Sequence, residues 1–285
     1  MGTQEKVSFE EFCRRATLLP CAPRLLPRLI SAMKEPESAA ERIGEIIRQD
    51  SGLAASTLRL ANSASYGREI PIADLTQAIV VLGRSEIYRI AARAMVARWE
   101  EAHQKALPWG PGALSQHSLS VAVAAEALGG LRGIDDVTTA YTAGLVGDVG
   151  LLALAFVCSD VYPRVSTLSR NGGCRWEEAE SRVLGFNNRT VGAALMRSWN
   201  FPSAFVTMVA FQNNADAAPP QDRPFIAQMQ AARYLANSLG SFGTPEEFYF
   251  EPQQDLLARH GYTPALLKDA YEKAKAKMER KVGLI

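Results

Sequence analysis

The chain has 285 residues, with 31 Lys plus Arg against 30 Asp plus Glu for a formal net charge of +1. A chain of this length buries roughly three quarters of its unfolded surface, enough for one large core or two small ones without staples. The charge balance excludes a global attraction to nucleic acid or an anionic membrane surface. Cys13, Cys21, Cys158 and Cys174 show no CxxC spacing and no neighbouring histidines, so they suggest neither a zinc site nor a disulfide framework and read as buried reduced thiols. The N-terminal MGTQEKVSFEEF lacks an apolar signal core and no run reaches the length of a membrane span. A cytoplasmic location without membrane contact is expected.

Helical periodicity recurs from end to end and long period-2 alternation is absent, which predicts an all-α fold. A lead-in helix is expected over 8–16, then a turn in LLPCAPRLLP with a helix start near Pro23. Ser38 and Glu41 form a capping box ahead of Ile43, Ile46 and Ile47, in a helix running to about Asp50. The SGLAASTLRLANSA segment at 51–64 is apolar on nearly all sides and predicts a helix packed on several faces, ending near Tyr66-Gly67. Asp74 caps a helix carrying Leu75, Ala78, Ile79 and Leu82 and ended by Gly83; Ile87, Ile90, Ala91, Ala94 and Met95 repeat the pattern. PWGPG at 108–112 marks a break between two halves.

In the second half His117 lines up with Val121, Ala124 and Leu128, so its imidazole points inward. The segment YTAGLVGDVGLLALA at 141–155 carries one acid, Asp148, on the helical face shared with Tyr141, Gly144 and Leu145. A buried carboxylate needs a cation, a metal or several hydrogen-bond donors. Further helices follow. One holds Trp176 and ends at Gly185, one is capped by Asn187 with Asn188, Val191 and Leu195 on a face, and one starts at Pro202 with Phe205, Val209 and Gln212 aligned. Ile226, Met229 and Arg233 share the face of the next. The last 45 residues read as a helical appendage, closing in a helix capped by Thr263-Pro264 with Leu267, Ala270, Tyr271, Ala274 and Met278 as its packing stripe. Lys273, Lys275, Lys277, Arg280 and Lys281 are its wet face.

Gln49-Asp50, LRLANSASYG at 58–67, AIVVLG at 78–83, His117-Ser118, AGLVGDVG around Asp148, LGFNN at 184–188 and SWNFP at 198–202 together resemble the HDOD domain, a bacterial signalling relative of the HD metal-dependent phosphohydrolases. The resemblance spans 18–240, as an N-terminal half (18–107) and an HD-like half (108–240), between a lead-in (1–17) and an extension (241–285). HD hydrolases hold divalent metals with histidines and aspartates from successive helices, and the metal activates water toward a phosphate ester. Carried over by position, His117 and Asp148 match. The other ligand positions fall on Gly147, Asn188, Gln212-Asn213 and Arg233, with Asn237 the alternative for the last. Glycine donates nothing, amides replace imidazole poorly and Arg233 repels a metal, so no catalytic residue, bound metal or cofactor is expected. The expectation is a metal-free polar network of His117, Asp148, Asn188, Gln212 and Arg233 in a non-catalytic signalling module with a protein partner or small ligand. One alternative is an active phosphohydrolase, recruiting Asp135, Asp136 or Asp160 as ligands. The other is a nucleotide-binding sensor using Arg189 or Arg233 for phosphate.

Overall fold

The structure, a computed structural model, describes residues 8–17, 25–33, 39–63, 72–103, 109–133, 137–239 and 249–282. Their regular structure is helical, and no strand occurs among the described residues. Two compact units separate: residues 22–98, and residues 1–21 together with 99–285.

The smaller unit holds α2 (Leu26–Met33), α3 (Ala39–Arg48), α4 (Ser51–Ala61), α5 (Leu75–Leu82) and the first part of α6 (Arg84–His103). Its core holds the aliphatic set the periodicity selects, with Ile43, Ile46, Ile47, Leu75, Ala78, Ile79 and Ile87 all buried, and Leu29 of α2 beside them in the buried set. Asp50 caps α4 by accepting from the Leu53 amide at 3.0 Å, and Arg98 grips the same carboxylate with Nη1 at 2.9 Å and Nη2 at 2.6 Å. Helix α4 differs from its expected packing on several faces: only Leu53, Thr57 and Ala61 are buried along it. Its Gly, Ala and Ser positions are small enough to be tolerated in water, so apolarity by residue type overstates what must be covered. It also stops earlier than expected, at Ala61. Asn62 turns the chain and clamps Ile72, accepting from its amide at 2.6 Å and donating to its carbonyl at 2.8 Å. The proposed helix start at Pro23, the Ser38 cap and the Tyr66-Gly67 terminus lie outside the described residues.

The larger unit is organised around α7 (Ala113–Leu131), which is buried from Leu114 through most of its length. It packs against α8 (Val137–Val146), α14 (Arg223–Ala236) and α16 (Pro264–Val282). Around these lie α1 (Phe9–Thr17), α9 (Val149–Val157), α10 (Tyr162–Gly172), α11 (Trp176–Leu184), α12 (Asn188–Ser198), α13 (Ser203–Phe211) and α15 (Gln254–Arg259). The division between units falls between residues 98 and 99, and Pro108 of the expected break lies outside the described residues. Glu100, near the end of α6, accepts from the amides of Leu114 at 3.0 Å and Ser115 at 2.8 Å, capping α7. Likewise α1 joins this unit through Phe9 and Phe12, whose rings meet Phe186 at 5.5 and 5.3 Å.

The C-terminal segment is part of the same unit. Ala270, Ala274 and Met278 are buried, and Lys277 donates to the carboxylate of Glu126 on α7. Thr138–Val157, spanning α8 and α9, is after all long and apolar enough to cross a membrane, contrary to the expectation from sequence. Its apolarity serves the core: the window is 89% buried.

Candidate functional site

Asp148 does not lie on a continuous helix. Helix α8 ends at Val146 and α9 begins at Val149, so Gly147 and Asp148 form a two-residue joint with Asp148 at the N-cap of α9. The break turns the carboxylate to face three other helices. It is 2% exposed. Arg233 of α14 donates through Nη1 to both Asp148 oxygens at 2.9 Å, and Arg189 of α12 donates through Nη1 to Oδ1 at 2.8 Å. His117 Nε2 of α7 stands 3.5 Å from Oδ2.

The charge state follows from these neighbours. Burial raises the Asp148 pKa, but Arg233 and Arg189 outweigh it and hold the carboxyl well below its ordinary value. Burial depresses His117, and the pull of Asp148 is opposed by the two arginines, so the imidazole is neutral near pH 7.

Arg189 links the carboxylate to a second acid. Its Nη1 also reaches the Gly147 carbonyl at 3.2 Å, while Nη2 and Nε donate to Glu177 Oε1 at 3.1 and 3.3 Å. Asn213 Nδ2 donates to the same oxygen at 2.8 Å. Gln212, assigned with its amide oxygen toward Arg189, accepts from Nε at 3.0 Å and from Nη1. A Cβ on Gly147 would come within 4.0 Å of the opposite end of this amide group and 3.0 Å of the Ala143 carbonyl. Gln212 therefore stands beside the space a side chain at 147 would enter.

The HDOD domain profile matches residues 19–215, more than half of the chain. The chain belongs to the HDOD family. Its fold matches an HDOD domain protein of unknown function from Geobacter sulfurreducens, at 21% identity with a TM-score of 0.66, covering 92% of this chain and 97% of that one. A protein from Marinobacter aquaeolei VT8, provisionally named for signal transduction, matches with a TM-score of 0.71 at 21% identity, over 94% of this chain and 59% of its own. A protein from Shewanella amazonensis SB2B, provisionally named a phosphohydrolase, matches with a TM-score of 0.59 at 19% identity, over 92% of this chain and 97% of its own. An uncharacterized Treponema pallidum (strain Nichols) protein is 22% identical over 222 residues, which is 75% of this chain and 41% of that relative.

The HDOD match ends before α14, yet the arginine that grips Asp148 from both sides lies on α14. Asn237, the other candidate for that position, is occupied elsewhere: it donates to the Phe250 carbonyl at 2.8 Å and accepts from the Phe250 amide at 3.2 Å. Asn188 also departs from the expected network. Its side-chain Nδ2 and backbone amide donate to Glu180 Oε2 at 2.6 and 2.7 Å, and it makes no hydrogen bond with Asp148. The reason is local. Asn188 is the first residue of α12, where the amide is without an intrahelical partner, and the buried Glu180 of α11 takes it up. Tyr162 donates to the other Glu180 oxygen at 2.8 Å, and Trp176 Nε1 donates to the Tyr162 hydroxyl at 3.0 Å. Burial pushes the Glu180 carboxyl up to about 7.

The residues present do not fit a divalent metal. Two guanidiniums occupy both Asp148 oxygens from hydrogen-bonding distance, His117 brings one neutral imidazole, and Gly147, Gln212 and Asn213 bring no anionic or imidazole donor. Among the described residues no group of three His, Cys, Asp or Glu side chains is placed to hold one. Asp160 is exposed in the turn after α9, and Asp135 and Asp136 lie outside the described residues. Sequence reasoning put Arg189 forward only as a phosphate ligand. It passed over Glu177 and Glu180; their spacing of three on α11, with Trp176 before them, was the available signal.

Proposed function

We propose that this HDOD chain is a cytoplasmic, non-catalytic signalling module that acts by binding a protein partner or a small ligand, with the former hydrolase centre turned into a structural ion cluster. The supporting observation is Asp148 held between Arg189 and Arg233. A carboxylate so engaged is not available to polarise a metal or a water, and it joins α9, α12 and α14 at one point. The name of the Marinobacter relative, given for signal transduction, agrees with a role in relaying a state. Hydrolysis of bis(p-nitrophenyl) phosphate with added manganese tests the reading. The expected rate equals that of the Asp148→Ala variant and of buffer with metal alone. A rate that rises with protein concentration and vanishes in Asp148→Ala would overturn it.

A further inference from the structure

Beside the ion cluster, on the α11 and α14 side, lies a cavity of about 330 Å³, at the small end of the range that holds organic ligands. Its lining includes Arg175, Trp176, Asn213, Arg233, Tyr249 and Phe250. Arg233 is only partly used by Asp148. Its Nη1 makes the two bonds to the carboxylate, while its Nε is buried and has no hydrogen-bond partner, and Arg233 is one of the residues that line the cavity. The Nε and Nη2 edge of a guanidinium is the flat fork that receives two oxygens of a carboxylate or phosphate side by side. The Phe250 ring lies over the guanidinium, with its centroid 5.1 Å from Cζ.

The remaining lining suits the same kind of guest. Arg175 is an exposed second cation with no ion pair or hydrogen bond from its side chain among the described residues. Glu177 is already matched by Arg189 and Asn213, so Glu251, exposed, is the one uncompensated acid in the lining. The Asn213 Oδ1, buried and without a donor, is an acceptor and adds nothing to the hold on the anionic group. Phe250 adds aromatic surface whose backbone is held by two hydrogen bonds with Asn237, and Tyr249 adds an exposed ring beside it.

We infer that this cavity binds a small organic oxyanion, a carboxylate or a phosphate monoester on a planar body, with the anionic group on the free edge of Arg233 and on Arg175 and the ring against Tyr249 and Phe250. The inference rests on the non-catalytic reading, because it requires Arg233 to remain with Asp148.

Isothermal titration of the full chain with benzoate, phenyl phosphate and neutral benzyl alcohol tests it, with metal content measured on the same sample. One equivalent of benzoate or phenyl phosphate binds with a dissociation constant below about 1 mM, at least about tenfold tighter than benzyl alcohol. Which anion binds identifies the oxyanion. Arg175→Gln weakens binding at least about threefold without moving the melting temperature, and Arg233→Lys, which keeps a cation for Asp148 but removes the fork, abolishes it. Absence of binding by both anions up to about 10 mM, or equal binding by benzyl alcohol, overturns the inference. If such a sample is free of metal, the non-catalytic reading stands; a sample holding about one metal per chain defeats that reading as well.

Discussion

At position 148 one carboxylate serves two buried guanidiniums, and removing it takes the anion from Arg233 and leaves Arg189 with Glu177 alone. Breaking a buried ion pair from one side costs about 3–5 kcal/mol, more than the pair itself contributes over an apolar replacement. Asp148→Ala is therefore expected to lose about that much stability in urea unfolding at pH 7. The folded pKa of Asp148 lies below its unfolded value of about 3.9, so its contribution is complete above that pH and fades as pH falls through the folded value. The gap between wild type and variant should accordingly stay constant from about pH 8 to 5 and narrow below about pH 4. Glu180 has the opposite sign. Its folded pKa of about 7 exceeds the unfolded value near 4.3, so ionisation costs the fold increasingly as pH rises between the two. Glu180→Gln should flatten the loss of stability between about pH 5 and 7, on the order of a few kcal/mol, while a slope equal to wild type would show that Glu180 is not the group responsible. Of these two acids only Asp148 was legible in the sequence, because it interrupts an apolar run. Glu180 sits among Glu177, Glu178 and Arg182 in a segment that reads as charged, so its spacing of three from Glu177 behind Trp176 is its one local signal.

Among the helices, the closest approaches are made by glycines. A Cβ on Gly150 of α9 would lie 1.9 Å from the Asn188 carbonyl oxygen, and Gly192, one turn along α12, has Gly150 N only 3.4 Å from its own Cβ position. The obstacle is backbone, which cannot rotate aside. Gly150→Ala is expected to separate α9 from α12 and to destabilise by more than the ~1–3 kcal/mol typical of overpacking. A melting temperature within a degree or two of wild type would contradict this packing. The same crossing carries the start of α12, and with it Arg189, toward Asp148. Periodicity located α9 and α12 but not their separation, since a glycine in a helix reads the same whether it faces solvent or another backbone. The α8–α9 break was hidden for a related reason: Val146 to Val149 keeps helical spacing of apolar residues through the joint.

For the whole molecule, the all-α class was legible because each amphipathic stripe has a single interpretation at period 3.6, and caps such as Asp74 and Asn187 mark where helices start. What was not legible is long-range. The pairing of Glu126 with Lys277, which ties α16 to α7, and the two-sided grip of Arg233 on Asp148 join residues far apart in the chain. Such partners follow from the fold and not from spacing. Arg233, which the resemblance sets at the last ligand position, supplies the cluster's second cation; the central claim of the proposal is that this cluster stands in place of a metal. Plasma mass spectrometry on protein produced with manganese, iron and zinc present and purified without chelator tests it most directly. The account predicts less than about a tenth of an equivalent of any of these metals per chain, unchanged in Asp148→Ala. About one or two equivalents, lost in Asp148→Ala, would contradict it.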